Sequence, residues 1–307
     1  MLKINDHLEI NTDVVRMEQY TTFQIGGPCQ GICSCQNSEE ILFALHYFHK
    51  NKLPFIVMGQ GSNLLVSDQG LDCYVIRYFS EKPFILPINE CELEVDCSTK
   101  LDDLAAYAAE HGLKGINYAS GIPGTVGGAI VGNAGAYGQQ IGDIVKSVLI
   151  YDTENTCAKT LTPEDLKFAY RESRLKHSSE VILSARLAFT HQHKSELLAE
   201  RQTILNERKS KHPDWKTIPS AGSVFKNVAP TSDGGRRKSA GWFLDEAGAK
   251  HFAFNGAKVF PSHANIIIKD GPCSAQDVLN LIQKMQTAVK NQFGIELEPE
   301  VRMLGKF

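Results

Sequence analysis

The sequence lacks a long apolar run, a secretion signal and an excess of charge of either sign. No apolar stretch among its 307 residues approaches the roughly 20 residues that a membrane-spanning helix needs. The first six residues lack the basic and apolar blocks of a signal peptide. Lysine and arginine number 32, aspartate and glutamate 35, and the two signs are mixed along the chain. These absences predict a cytoplasmic protein with no membrane span and no nucleic-acid partner.

The cysteines show neither a metal-binding nor a redox motif. Of the eight, Cys29, Cys33 and Cys35 lie close together and the others are scattered. No C-x-x-C pair occurs, and no histidine lies at zinc-site spacing from the cluster, so no metal site is expected. Because free cysteine behaves as a small buried apolar residue, a structural role is expected. A redox pair or a metal ligand set is the alternative for the cluster.

A glycine-rich segment, residues 121–138, is the most informative part of the chain. It reads G-I-P-G-T-V-G-G-A-I-V-G-N-A-G-A-Y-G, with apolar residues spaced along it. Glycine lets backbone N–H groups approach a ligand without an intervening Cβ. Inward-facing N–H groups form a cradle that suits a pyrophosphate. The alternative is a buried turn between core elements.

A second glycine-rich segment follows the apolar run Phe55–Met58, which predicts a buried strand. Residues 59–64 read G-Q-G-S-N-L, without the third glycine of a dinucleotide-binding fingerprint, and residues 64–66 predict another strand instead of a helix. These departures exclude a Rossmann domain. Two such loops in one chain predict a nucleotide held between two small lobes.

Periodicity and capping signals predict the main elements. Helices are expected at 38–49, 101–111, 194–211 and 274–293, and strands at 21–28, 55–58, 144–151, 181–189 and 264–268. The chain is long enough for two or three compact units.

Seven separated segments together resemble one known family. They are T-T-F-Q-I-G-G-P (21–28), G-Q-G-S-N-L-L-V (59–66), the segment 121–138, A-Y-R-E-S (169–173), A-G-S-V-F-K-N (221–227), H-A-N (263–265) and L-E-P-E-V-R-M-L-G (297–305). In this order they resemble the UDP-N-acetylenolpyruvoylglucosamine reductase (MurB) family of bacterial peptidoglycan synthesis, over residues 16–305.

The resemblance implies an α+β fold with a two-lobe FAD-binding domain of the PCMH/vanillyl-alcohol-oxidase type, followed by an α+β substrate-binding domain. The implied ranges are 1–79 and 80–200 for the FAD lobes and 201–307 for the substrate domain. Non-covalent FAD and NADPH are the implied cofactor and co-substrate. The implied reaction reduces the enolpyruvyl ether of UDP-N-acetylglucosamine to UDP-N-acetylmuramate. The short linker from Arg171 to Ser223 indicates the branch without the insertion that holds a substrate-gripping tyrosine.

The family motifs imply three catalytic residues, Arg171, Ser223 and Glu300. A guanidinium can bind a carboxylate at two points and keeps its charge as an enolate forms. A serine hydroxyl can donate a proton only when it is strongly positioned, and a carboxyl group helps if it is protonated or relays a proton. The alternatives are an ion pair between Arg171 and Glu172, a turn serine, and an exposed charge on a terminal strand. His263 is expected in a turn or the core.

The resemblance also implies two sets of binding residues. Those expected to contact FAD are Gly59, Gln60, Gly61, Ser62, Asn63, Leu64, Gly121, Ile122, Pro123, Gly124, Thr125, Gly127, Gly128, Asn133, Ala134 and Gly135. Those expected to contact substrate or nicotinamide are Tyr170, Lys226, Asn227 and Arg302. Residues 231–238 depart from the family pattern and are read as a solvated insertion, with a basic loop near a diphosphate as the alternative.

Two rival functions remain open at this point. A flavin oxidase of the same architecture would pass electrons to oxygen. A non-catalytic nucleotide-binding module would explain the glycine segments but leave Arg171, Ser223 and Glu300 without a shared role. The expected small-molecule partner is a UDP-sugar, and a monomer is expected.

Overall fold

The computed structural model describes residues 2–5, 7–230 and 235–307. By internal contacts the chain divides into two compact units, each built from discontinuous segments. The first unit comprises Met1–Val15, Gln30–Gln60 and Cys73–Glu207; the second comprises Arg16–Cys29, Gly61–Asp72 and Arg208–Phe307. These units do not follow the three contiguous ranges expected from the sequence, because two short early segments belong with the C-terminal hundred residues. The three ranges remain a prediction about ligand-binding lobes.

The strands of the described residues are short. They are β1 (Leu2–Lys3), β2 (Glu9–Asn11), β3 (Val15–Arg16), β4 (Pro28–Cys35), β5 (Phe55–Met58), β6 (Leu64–Val66), β7 (Leu71–Tyr78), β8 (Ile85–Asn89), β9 (Glu92–Asp96), β10 (Leu113–Lys114), β11 (Gly135–Ala136), β12 (Gln139–Gln140), β13 (Val145–Asp152), β14 (Cys157–Leu161), β15 (Val181–Ala188), β16 (Thr190–His191), β17 (Ser220–Ser223), β18 (Ala253–Phe254), β19 (Ala257–Val259), β20 (Ile266–Lys269) and β21 (Arg302–Leu304).

Seven α-helices occur in the parts of the chain that the structure describes. They are α1 (Ser38–Lys50), α2 (Leu101–Glu110), α3 (Val126–Val131), α4 (Pro163–Leu166), α5 (Lys194–Lys211), α6 (Ala240–Glu246) and α7 (Ala275–Phe293). No helix of the described residues is long and apolar enough to cross a membrane.

The first unit has two large sheets around one core. One sheet has the order β1-β2-β4-β7-β5, with β3 pairing β4, and the other is antiparallel in the order β14-β13-β15-β9-β8. The apolar face of α1, with Ile41, Leu45 and Phe48 fully buried, contributes to this core. Each such side chain stabilises the fold by about 1.5–3 kcal/mol relative to leaving it exposed.

The second unit is built on the antiparallel sheet β17-β20-β19-β18 and on the long helix α7. Ser274 and Asp277 form a capping box at the start of α7, and Gly294 ends the helix at φ +68°. The parallel pair β6–β21 joins residues 64–66 to residues 302–304. This pairing is the reason that an early segment belongs to a C-terminal unit.

The helices and most strands agree with the sequence predictions to within two residues, but two predictions were wrong. Residues 21–27 form turns, not a strand; Gln24 has φ +52° and Gly26 φ +144°, both outside strand geometry. The glycine segment 121–138 was expected to be a loop, yet it contains α3. The N-cap of α1 is Asn37, whose side chain accepts a hydrogen bond from the Glu40 N–H.

Candidate active site

The two glycine-rich segments contact each other within the first unit. The Gln60 Oε1 accepts a hydrogen bond from the Gly124 N–H at 2.6 Å. A Cβ on Gly59 would lie 2.5 Å from the Thr125 Oγ1, closer than any real Cβ contact. Glycine at 59 is therefore required by the close approach of the two segments. This junction is the part of the first unit that most resembles a nucleotide cradle.

Some glycines of residues 121–138 are needed for packing inside the protein and not for access to a ligand. The Thr125 side chain caps α3 by accepting from the Gly128 N–H at 3.2 Å. The Gly127 N–H donates to the Cys97 carbonyl at 3.0 Å, and a Cβ on Gly127 would lie 3.1 Å from the Cys97 Cβ. The predicted FAD contacts of Gly127 and Gly128 stay predictions, with this structural role beside them.

Asn133 connects the end of the glycine segment to the predicted arginine. Asn133 is buried, and its backbone has φ +44°. Its side-chain Nδ2 donates to the Ala169 carbonyl at 2.8 Å and to the Gln140 Oε1 at 2.9 Å. The Ser173 Oγ donates to the Val131 carbonyl at 2.7 Å. Residues 169–173 are thus fixed against the glycine segment at two points.

Arg171 lies at the tip of a tight turn and has φ +57°. Ala169 and Glu172 exchange backbone hydrogen bonds of 3.0 and 3.1 Å across this turn. The guanidinium carbon lies 5.3 Å from the centre of the Tyr170 ring. A left-handed conformation at a long-chain residue costs energy, and such strain is found where a side chain must be aimed.

The neighbouring charges are engaged with other groups. The Glu172 carboxylate bonds to His177 at 2.7 Å and to Lys176 at 3.3 Å. Partial burial opposes ionisation of Glu172, yet the attraction of Lys176 and His177 lowers its pKa below the usual range. Arg174 forms an ion pair with Glu180 at 2.8 Å. These contacts give Glu172 and Arg174 structural roles.

Ser223 and Glu300 lie beside each other in the second unit. Ser223 ends β17 and pairs with Ile266 of β20, while Gly222 before it has φ +76°. The Glu300 N–H donates to the Val224 carbonyl at 2.7 Å. Both residues are half-buried. The structure therefore brings the predicted proton donor and the predicted carboxyl group into adjacent backbone positions.

The glycine segment 59–64 continues into the second unit, where Asn63 supports Glu300. The Asn63 Nδ2 donates to the Glu300 carbonyl at 3.1 Å, and the Arg302 N–H donates to the Asn63 carbonyl at 3.0 Å. Leu64 pairs with Arg302, whose side chain is exposed. Asn63 thus has a structural role beside its predicted FAD contact.

The predicted substrate residues Lys226 and Asn227 follow Ser223 closely. Lys226 forms an ion pair with Glu298, and its N–H donates to the Glu298 carbonyl at 2.9 Å. The Asn227 Oδ1 accepts from the Ala240 N–H at 3.2 Å, at the start of α6. The insertion predicted at 231–238 lies partly outside the described residues, which exclude 231–234.

One residue that positions this region was not singled out from the sequence. Asn265 is buried; its Oδ1 accepts from the Phe225 N–H at 3.0 Å and its Nδ2 donates to the Phe225 carbonyl at 2.9 Å. It is the last residue of the H-A-N motif, which begins at His263. Burial and the nearby Lys250 and Lys211 lower the pKa of His263, although a backbone hydrogen bond opposes the shift. His263 is therefore a poor general acid.

Two residues of the cysteine cluster, Cys33 and Cys35, are buried, and Cys29 is half-buried. All eight cysteines are free, and the sulfurs of Cys33 and Cys35 lie 3.9 Å apart with both residues inaccessible to solvent. The hydrogen bond from Cys33 and the burial of the thiol raise the pKa of Cys35 far above its usual range. Within the described ranges, no group of three or more His, Cys, Asp or Glu side chains could hold a metal ion.

Comparison with known proteins covers most of the chain. Residues 29–160 match the family described as "FAD binding domain", and residues 212–304 match "UDP-N-acetylenolpyruvoylglucosamine reductase, C-terminal domain". The UDP-N-acetylenolpyruvoylglucosamine reductase of Caldanaerobacter subterraneus is 36% identical, over 94% of this chain and 92% of that protein. That of Acaryochloris marina is 37% identical, over 95% and 92%.

A solved structure agrees with these sequence matches. The crystal structure of UDP-N-acetylenolpyruvylglucosamine reductase (MurB) from Thermus caldophilus is 29% identical and has a TM-score of 0.77. The match covers 97% of this chain and 100% of that one. The α+β fold with an FAD-binding domain is confirmed by these comparisons. The chain belongs to the UDP-N-acetylenolpyruvoylglucosamine reductase family.

Proposed function

We propose that this chain is an FAD-dependent enzyme that uses NADPH to reduce UDP-N-acetylglucosamine enolpyruvate to UDP-N-acetylmuramate, a step of peptidoglycan precursor synthesis. Membership of the family supports the reaction. The observation that carries the catalytic assignment is the 2.7 Å hydrogen bond from the Glu300 N–H to the Val224 carbonyl. It brings the backbone of Glu300 next to the segment that carries Ser223, and a proton-delivery site needs a donor and an assisting group in such close segments.

The residues of the glycine segments fit a flavin dinucleotide. The fit rests on the glycines of residues 59–64 and 121–135, several of which are half-buried or exposed, so that their backbone is open to a ligand. When bound, FAD supplies hydride transfer between a nicotinamide and the substrate. We assign its binding to residues 59–64 and to the flavin loop, which we define as residues 121–135.

Arg171 is assigned to the charge that develops on the substrate. Hydride addition to the methylene carbon of an enolpyruvyl group leaves negative charge beside the carboxylate, delocalised as an enolate. A guanidinium held in a fixed turn stabilises that charge without reorganising during the reaction. The left-handed backbone at Arg171 and the engagement of Glu172 with Lys176 and His177 both support this role.

Ser223 is assigned as the proton donor to the enolate carbon. Its hydroxyl is a weak acid, so the role needs an intermediate that is strongly basic and a donor that does not move. Pairing of Ser223 with Ile266 supplies a fixed backbone. Glu300, held next to it, is assigned to assist the proton transfer through its carboxyl group.

The remaining assignments concern the substrate contacts, the domain ranges, the oligomeric state and the location of the protein. Tyr170, Lys226, Asn227 and Arg302 are assigned to the substrate or to the nicotinamide nucleotide, since both have anionic phosphates. The ranges 1–79 and 80–200 are proposed as the lobes that hold FAD, and 201–307 as the substrate domain. We further propose a cytoplasmic monomer that does not bind nucleic acid.

An anaerobic absorbance experiment tests the function. The protein is reconstituted with FAD, bleached with NADPH, and mixed with UDP-N-acetylglucosamine enolpyruvate. Rapid return of the oxidised flavin spectrum is expected. A spectrum that stays bleached until air is admitted would instead favour the oxidase. A chain that takes up no flavin would be a nucleotide-binding module or another protein altogether.

A further inference from the structure

The long helix α5 presents polar side chains to the first unit instead of an apolar stripe. Only Leu197 and Ile204 of its 18 residues are buried. Glu200, Arg201 and Glu207 lie close to these two on one face, since residues three, four and seven apart are neighbours on a helix. Burial of two apolar side chains is little for a helix of five turns, so its position depends on polar contacts.

The first polar contact lies immediately before the flavin loop. The Asn117 Nδ2 donates to the Leu197 carbonyl at 2.9 Å and to the Glu200 Oε2 at 2.7 Å. Asn117 is buried, and its own carbonyl accepts from the Ser120 hydroxyl at 2.7 Å. The turn that leads into Gly121 is thereby joined to α5.

The second contact reaches the first residue of the loop. The Arg201 Nη1 donates to the Asp102 Oδ1 at 2.7 Å, and the same carboxylate oxygen accepts from the Gly121 N–H at 2.7 Å. The Arg201 side chain is 15% exposed, so this ion pair is more shielded from water than a typical surface pair. Asp102 thus transmits the position of α5 to the loop backbone.

The third contact lies just beyond the loop. The Tyr137 hydroxyl donates to the Glu207 Oε2 at 3.0 Å. This contact borders a cavity of about 380 Å³, which is lined by Tyr118, Tyr137, Gln139, Glu200, Ile204 and Glu207 among others. Because this space is not filled by packed side chains, the polar contacts at its edges determine how firmly α5 holds the loop.

We propose that α5 clamps the flavin loop at both ends, and that Arg201 and Tyr137 are positioning residues for FAD binding. The proposal rests on the proposed function, in which residues 121–135 hold FAD. A loop that is ordered before the ligand arrives loses less conformational freedom on binding. By linkage, FAD that binds the ordered loop must in turn tighten α5.

Flavin affinity tests the clamp. FAD is titrated into full-length apoprotein of the unaltered chain, Arg201→Gln and Tyr137→Phe, with Lys159→Gln as matched control. Lys159 also loses ion pairs, with Asp152 and Glu180, but these do not involve α5 or the flavin loop. Each clamp variant is expected to weaken FAD binding about fivefold, the loss typical of one hydrogen bond. Arg201→Lys should restore part of the loss, and the control should bind FAD as the unaltered chain does.

Amide hydrogen exchange separates the clamp from general destabilisation. FAD should slow exchange in residues 194–207 as well as in 121–135 of the unaltered chain, and the effect on 194–207 should shrink in Tyr137→Phe, an exposed and mild change. Protection confined to 121–135, or clamp variants that bind FAD normally, would overturn the proposal while leaving the function intact. Absence of FAD binding by the unaltered chain would overturn both.

Discussion

The two segments on which the proposed chemistry depends are held in different ways. The flavin loop is held at two of its N–H groups by side chains from outside it, Gln60 on Gly124 and Asp102 on Gly121, in addition to backbone bonds such as Gly127 to Cys97. The Ser223 segment is held by backbone pairing, such as the 2.8 Å bond from the Val224 N–H to the Asn265 carbonyl, together with the buried side chain of Asn265. A loop held by side chains can be loosened by one distant substitution. A strand that is paired through its backbone keeps its position when a side chain such as that of Ser223 is changed. A substitution there therefore tests the catalytic role of the side chain and not the position of the strand.

The largest effect is expected from Ser223→Ala. Loss of a general acid typically slows a reaction about 10²- to 10⁴-fold, and we expect reoxidation of reduced flavin by substrate to slow in that range. Flavin reduction by NADPH and the urea midpoint should stay the same, because the backbone pairing with Ile266 remains. Rapid mixing measures the two half-reactions separately. Equal loss of both would argue against the proton-donor role.

Asn265→Ala should break the backbone-held segment itself. The side chain satisfies both the N–H and the carbonyl of buried Phe225. Leaving these groups unpaired should lower the free energy of unfolding by about 2–4 kcal/mol. Urea unfolding measures this loss, with Asn280→Ala on α7 as control, whose bond to Gln276 joins neighbouring helix turns. An Asn265→Ala protein as stable as the control would show that β17 does not depend on this side chain.

Gly59→Ala tests the close approach of the two glycine segments. The new methyl group would displace Thr125, and overpacking of this kind costs about 1–3 kcal/mol, so FAD affinity should fall about tenfold. Gly241→Ala on α6 is the matched control, because its Cβ would approach no heavy atom closer than 3.3 Å and because it lies outside the residues assigned to FAD. Titration of apoprotein with FAD measures both. If both variants bound FAD equally well, the required absence of a Cβ at 59 would be refuted.

The smallest effect is expected from the titration of His263, which makes the stability of the fold depend on pH. Because burial lowers its pKa in the folded state, the unfolded chain binds more protons between that lowered value and about 6.5. Stability should therefore decrease as the pH falls through this window, and change no further from this group below it. His263→Gln should flatten the dependence of the urea midpoint between pH 7.5 and 5.5, whereas exposed His7→Gln should not. If the urea midpoint of His263→Gln depended on pH as strongly as that of the unaltered chain, other titratable groups would be the cause.

Local signals account for the parts of the fold that the sequence predicts well. The apolar face of α1 and the capping box of α7 depend on residues within a few positions of one another. The missed helix α3 contains two glycines, which have low helix propensity, and it is stabilised by contacts with Cys97 and Thr99 that no local pattern reveals. The turn at 21–27 has the apolar residues Phe23 and Ile25 because they enter the second unit's core, not because they form a strand.

The sequence motifs predicted which residues belong to the candidate site, but not which of them form hydrogen bonds with each other. The motifs indicated Asn133 and Asn63 as FAD residues, whereas the structure shows that their side chains also fix Ala169 and Glu300. The role of Asn265 and the contacts of α5 depend on residues far apart in sequence, so spacing alone could not indicate them. The discontinuous units could not be predicted for the same reason, because they depend on strand pairs between distant residues, such as β6 with β21.

The pairing of Asn63 with Glu300 spans 237 residues of sequence and has a consequence for biosynthesis. During translation the strand β6 emerges early, yet its partner β21 is made only after all the residues between them. Contacts of such long range form late and slow folding, so residues 64–66 must wait for this partner while the intervening chain is made. The nascent chain therefore exposes an apolar strand edge throughout that interval, and the hydrogen bond from Asn63 to the backbone carbonyl of Glu300 forms only when that exposure ends.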